Sequence, residues 1–232
     1  MEESFYERID GYHSINVEFP SLMRKVYTWM TLALIITAVT GYGIASSPIL
    51  SMHIDKFFWI LLFVELAVVI VLGSMISRLS LTSATTMFIV YSILNGVTLS
   101  SIFVAYSPMV ITKVFLITAG TFGATALYGY TTKKDLSMMG KILFMSLLGL
   151  IIATFANFFM RSAGFDYILS YIGVIIFVGL TAYDTQKIKK ILQVQSEGGE
   201  TAQKIALIGA LSLYLDFMNL FLSLLKIFGN KK

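Results

Sequence analysis

The sequence predicts an all-α polytopic membrane protein with seven transmembrane helices, the last of them central within a six-helix shell. Three observations carry that prediction. Of 232 residues, 57% are hydrophobic and only 13% are charged, against about 25% charged in soluble domains. The mean hydropathy is +0.82. Seven apolar stretches are each long enough to span, at about 20 residues per crossing, and polar breaks separate them. Strands are excluded, because open sheet edges cannot be satisfied in lipid and the runs are about twice the length of a barrel strand.

Residues 1–24 read as a cytoplasmic N-terminal tail, polar and acidic (Glu2, Glu3, Glu7, Asp10, Glu18), with Pro20 punctuating its end. It lacks the basic region and apolar core of a cleaved signal peptide, so the first span is expected to direct insertion. Residues 25–232 form the seven-helix transmembrane domain. Its spans fall near 26–46, 57–76, 84–105, 110–130, 142–160, 167–184 and 205–228. Ser46-Ser47-Pro48 closes the first span, Ser107-Pro108 the third, 131–137 the fourth and 161–164 the fifth. The long connection is 185–204, rich in Lys and Gln and containing Gly198-Gly199. Small residues that permit close helix approach recur at Gly41, Gly43, Gly120 with Ala124, Gly173 with Gly179, and Gly209. An odd helix count fits a six-helix shell plus one further helix. The last stretch is the candidate, since Ser212, Tyr214, Asp216 and Asn219 scatter around it.

Seven crossings put the termini on opposite sides. With the N-terminus inside, 11 Lys and Arg residues are cytoplasmic and 6 are outside, three of those at the C-terminal end. The positive-inside rule therefore favours a cytoplasmic N-terminus and an external C-terminus. Six spans with a re-entrant last stretch, leaving the C-terminus inside, is the competing arrangement. Residues 205–228 reach about 36 Å as a helix, long enough to cross.

Of 13 Asp and Glu residues, three lie in apolar spans: Glu65, Asp184 and Asp216. A carboxylate at a helix centre costs roughly 2.5–3.5 kcal/mol on insertion scales. No Lys, Arg or His lies deep in a span. Arg78, Lys113, Lys141 and Lys226 sit at helix ends, where they can snorkel. Asp184 is three residues from Lys187, so it either marks the cytoplasmic end of span six or belongs to a site. Asp216 lies roughly 16–18 Å deep by helical rise; it is either a neutral, hydrogen-bonded bundle residue or a functional group. Spans six and seven are antiparallel, and simple depths for the two aspartates differ by about 10 Å. Spacing leaves their meeting open. If they meet in a dry site, both cannot ionise easily and they share a proton. Their oxygens would also suit a hard cation such as Ca²⁺. His13 and His53 lie outside the spans, so an intramembrane pH sensor would have to be carboxylate-based. Glu65 either extends this acidic path or is a protonated packing residue.

Enzymatic readings find little support, and the protein is expected to be no enzyme and to need no cofactor. Cysteine is absent, which removes disulfides and thiol chemistry. The net charge of +4 reads as topology rather than as a nucleic-acid surface. Intramembrane serine proteolysis needs a His in the bundle, and zinc proteolysis needs His-Glu-x-x-His; neither is present. Retinal binding needs a mid-span Lys in the last helix, yet Lys226 is at its end. For intramembrane aspartyl proteolysis Tyr183-Asp184 matches one motif. The partner motif, Gly-x-Gly-Asp, is replaced by Leu213-Tyr214-Leu215-Asp216, and Pro20, Pro48 and Pro108 all lie far upstream.

Two segments carry a family resemblance: Val178-Gly179-Leu180-Thr181-Ala182-Tyr183-Asp184-Thr185-Gln186-Lys187-Ile188-Lys189, and Ala210-Leu211-Ser212-Leu213-Tyr214-Leu215-Asp216-Phe217-Met218-Asn219-Leu220-Phe221. They closely resemble the signature of the Bax inhibitor-1 family in its bacterial branch. The loop Lys133-Lys134-Asp135-Leu136-Ser137-Met138-Met139-Gly140 and the position of Glu65 also resemble that family. The resemblance implies a seventh helix surrounded by six. It implies that Asp184 and Asp216 form a hydrogen-bonded pair near the cytoplasmic side, the pH sensor of a Ca²⁺ leak that meets Ca²⁺ only transiently. An arginine ending the second helix latches the pair in the family. Arg78 is the one on offer, about two residues beyond the expected place. Glu65 and Asn219 join it as candidate latch or pathway residues. The resemblance further implies a multi-pass protein of the bacterial plasma membrane. Some bacterial relatives restrain a membrane-bound AAA protease, offering a cytoplasmic tail such as residues 1–24.

Overall fold

The computed structural model describes the backbone of residues 2–76, 78–194 and 199–229, and the side chains of these except 2–19 and 51–55. The readings of the acidic tail side chains, His13, His53, Gly198, Lys231 and Lys232 fall outside the described residues. Among the described residues seven α-helices follow one another: α1 (Glu2–Ala45), α2 (Pro48–Met75), α3 (Leu81–Ala105), α4 (Pro108–Thr131), α5 (Ser137–Met160), α6 (Ala163–Val194) and α7 (Glu200–Phe228). Each contains a segment long and apolar enough to cross a bilayer. The protein is an all-α polytopic membrane protein, with no strand among the described residues.

Local chemistry sets the helix boundaries. Pro48 and Pro108 stand in the first turns of α2 and α4, where a missing N–H costs nothing. Ser107 caps α4, its hydroxyl oxygen accepting the Val110 N–H at 3.4 Å. Helix α5 stops at Arg161, whose left-handed backbone (φ 52°) turns the chain. The Arg161 N–H returns to the Asn157 carbonyl at 2.7 Å, and Asn157 Oδ1 accepts the Ser162 N–H at 3.2 Å.

Two boundaries differ from the sequence reading. Pro20 lies inside α1, which runs unbroken from Glu2. A proline removes one backbone donor and bends a helix, but it leaves the ladder on either side intact. The connection after span six is also short, because α6 continues ten residues past Asp184 to Val194 and α7 begins at Glu200. Lys187, Lys189 and Lys190 gave that stretch a loop-like composition. Ile188 and Leu192, one turn apart, keep an apolar stripe buried along it and sustain the helix. With 32 residues, α6 is about 48 Å long and outreaches a hydrocarbon core of about 30 Å.

The chain forms two compact units, one of Met1–Ser101 with Ile188–Leu211 and one of Ile102–Lys187 with Ser212–Lys232. Helix α7 contributes to both and is the most enclosed element, 67% buried over its apolar window against 6% for α2 and for α5. In the first unit Leu207, Ile208 and Leu211 pack with Leu72, Ile76 and Phe88. In the second unit the Phe217 ring lies 5.4 Å from those of both Phe115 and Phe122. Tyr214 is fully buried. The exposed apolar residues of α5, among them Ile152, Phe155 and Phe159, form the kind of surface that lipid covers.

Of the small residues singled out in the sequence, Gly173 meets Ser223, Gly179 meets Leu143 and Gly209 meets Ile188, whereas Gly43 and Gly120 face open space. Tighter approaches at Gly129 and Gly140 went unnoticed there. A Cβ on Gly129 would overlap the Ala182 backbone, and one on Gly140 would overlap the Tyr183 ring. Both fix α6 against its neighbours immediately before Asp184.

Candidate functional site

Helix α6 carries Asp184 in its interior rather than at its end. Its side chain is half-buried. Helix α7 carries Asp216, which is only 5% exposed. Both belong to the second unit, and their carboxyl groups lie close enough to interact electrostatically. Spacing left their meeting open; the structure couples them electrostatically within one unit. Asp216 Oδ2 is buried without a hydrogen-bond partner, and so is the Thr185 hydroxyl beside Asp184. Polar atoms orphaned in this way are rare and mark strain, function or an exchangeable guest. Thr181, also fully buried, instead donates to its own helix at the Phe177 carbonyl, 2.7 Å away.

Lys187, about one turn along α6, acts electrostatically on Asp184. Its ammonium lies 5.8 Å from the centre of the Tyr183 ring, at the outer reach of a cation–π contact. Gln186 then ties the α4–α5 connection to α6. Its Nε2 donates to the Lys134 carbonyl at 2.7 Å, and its Oε1 accepts the Leu136 N–H at 2.9 Å. Asp135 closes the same turn by accepting from the Ser137 hydroxyl at 2.8 Å. This clamp escaped the sequence reading. Its available signal was a glutamine only two residues from Asp184, in a stretch read as loop. Gln186→Leu should release the 132–136 turn at a cost of about 1–3 kcal/mol, since the buried Leu136 N–H loses its acceptor. Faster hydrogen exchange at Lys134–Leu136, compared with wild type, is the measurable result.

Of the remaining candidates, Asn219 shares the second unit, whereas Arg78 and Glu65 belong to the first. Asn219 is satisfied within α7, its Nδ2 donating to the Leu215 carbonyl at 2.8 Å. Arg78 is exposed in the turn after α2 and belongs to the first unit. Glu65, also in the first unit, accepts hydrogen bonds from Thr98 and Asn95 of α3. Among the described residues no three His, Cys, Asp or Glu side chains converge as a metal site would require.

Seven apolar helices, the last two each carrying one of two electrostatically coupled carboxyl groups, define a multi-pass membrane protein. Comparison with known proteins makes this specific. The family described as Inhibitor of apoptosis-promoting Bax1 matches residues 20–232. The inner membrane protein YbhL of Escherichia coli is 46% identical over 231 residues, covering 98% of this chain and 99% of that protein. Uncharacterized proteins of Borreliella burgdorferi and Deinococcus radiodurans are each 40% identical, over 213 and 212 residues, and cover at least 90% of both chains compared. The chain belongs to the Bax inhibitor-1 family.

Proposed function

We propose that the protein is a pH-sensitive Ca²⁺ leak of the bacterial plasma membrane, gated by Asp184 and Asp216 and performing no catalysis. The observation that supports this most is the orphaned, buried Oδ2 of Asp216 facing the field of a second carboxyl. A proton shared between the two groups removes charge repulsion in a dry site. Loss of that proton leaves two anions, which attract a cation and push the helices apart. Ca²⁺ takes 6–8 oxygen ligands when held by protein. Two carboxylates supply too few, so the ion is a passing cargo at Asp184 and Asp216 rather than a resident cofactor. The N-terminus is taken as cytoplasmic and the C-terminus as external. The test is Ca²⁺ flux into liposomes containing the purified protein, measured across pH; flux equal to that of empty liposomes at every pH would sink the reading.

A second reading rests on the unbroken run of α1 from Glu2 through Pro20 into its apolar segment. That extension offers a helical handle to a partner, such as a membrane-bound AAA protease that the protein would restrain. Deleting residues 1–19 should then abolish restraint of the protease and leave flux intact. Unchanged protease output in the deletion strain would exclude this role.

A further inference from the structure

A polar cluster built around one carboxyl lies on α2 and α3, wholly within the first unit. Glu65 stands ten residues from the end of α2 at Met75, about 15 Å along the helix. Its Oε1 accepts from the Thr98 hydroxyl, and its Oε2 accepts from Asn95 Nδ2 at 3.5 Å. Asn95 in turn hydrogen-bonds Tyr91, which also feels the Glu65 charge. Thr98 and Tyr91 are buried, while Glu65 is half-exposed on a helix whose apolar segment is only 6% buried, between Leu62, Phe63, Val64 and Leu66, all exposed.

We propose that Glu65, with Asn95, Thr98 and Tyr91, is an intramembrane proton-binding site reachable from the lipid phase. The argument is one of hydrogen-bond capacity. Hydroxyl and carboxamide groups both donate and accept. Thr98 and Asn95 donate to the anion, and each can reverse to accept from the protonated acid. The α2–α3 contact therefore survives in both protonation states, which a Lys or Arg partner would not allow. Helix α3 contains no Lys, Arg or His. In the apolar segment of α1 the basic residues, Arg24 and Lys25, sit early, with Arg8 and His13 before it, and on α2 Lys56 and His53 are nine and twelve residues from Glu65. Tyr91 is the titratable group of α3 that faces it. A metal is the poorer guest, because both carboxylate oxygens already face donors and no three acidic or His side chains converge among the described residues.

Dicyclohexylcarbodiimide tests this directly, since it partitions into lipid and adds across the O–H of a protonated carboxyl. Full-length protein in liposomes is treated at graded pH, and the adduct is located by peptide mass spectrometry. The expected result is an adduct on Glu65 that falls about tenfold per pH unit beyond its midpoint. It should be absent in Glu65→Gln and retained in Asp216→Asn, so it stands or falls independently of the proposed leak. Thr98→Val should displace the loss of labelling by about one pH unit, the scale of one hydrogen bond to a charged group. A Glu65 adduct constant with pH, or absent at every pH, overturns the proposal. Protection by Ca²⁺ at fixed pH also overturns it, in favour of a metal site.

Discussion

Asp216→Asn should yield a protein that is more heat-stable than wild type and whose Ca²⁺ flux no longer follows pH. The two expectations share one cause. Asp216 is nearly fully buried, one of its oxygens has no hydrogen-bond partner, and the Asp184 carboxyl adds its field. An unsatisfied buried polar group costs about 1–3 kcal/mol, more when charged. Asparagine keeps the shape and removes the ionisable group, so the repulsion between the two sites disappears. Asp216→Leu keeps the branching of the side chain and removes the charge, but its larger methyl groups overpack the site, so its gain should be smaller than that of Asp216→Asn. Asp184→Asn removes the other half of the coupled titration, but Asp184 is half-exposed and has Lys187 one turn away. Its gain in stability should therefore be smaller. Thermal unfolding in detergent and flux in liposomes, measured on the same preparations, separate function from structure. A purely structural Asp216 would lose stability on substitution and leave the pH profile unchanged, which would end the gating idea.

How far the sequence reached depends on whether a feature is local. Glu65, Asp184 and Asp216 were legible because a carboxylate in an apolar run is costly wherever it sits. Capping prolines at 48 and 108 were legible as breaks for the same local reason. The electrostatic coupling of Asp184 and Asp216 was not, because it depends on where α6 ends, and lysines at 187, 189 and 190 hid a stripe set by Ile188 and Leu192. Pro20 misled in the opposite direction, since a proline bends a helix without necessarily ending it. Glu65 was visible, but its donors Asn95 and Thr98 lie 30 and 33 residues further along, on another helix. Nothing in their spacing pairs them. Gly129 and Gly140 belong to the same class: a backbone approach between distant segments leaves no periodic trace.

Gly129→Ala should consequently be the most damaging small substitution in the second unit. A methyl there meets the carbonyl and Cα of Ala182, backbone atoms of a packed helix that have no rotamer in which to retreat. Overpacking typically costs about 1–3 kcal/mol even where side chains can give. In a domain of this size that corresponds to a fall in Tm of roughly 2–4 °C per kcal/mol. Gly123, also on α4, has nothing within 4 Å of its would-be Cβ, so Gly123→Ala should be neutral or gain about 0.5–1 kcal/mol from helix propensity. The functional consequence follows from position, because Ala182 precedes Asp184 by two residues on the same helix. Relief of the clash must shift or rotate α6, moving Asp184 relative to Asp216 and distorting the pH response of whatever folded protein remains. Equal melting temperatures for the two alanine variants would show that α4 and α6 do not meet as closely as the structure has them. A lowered Tm with an unaltered pH profile would instead confine the contact to stability and detach it from the carboxylates.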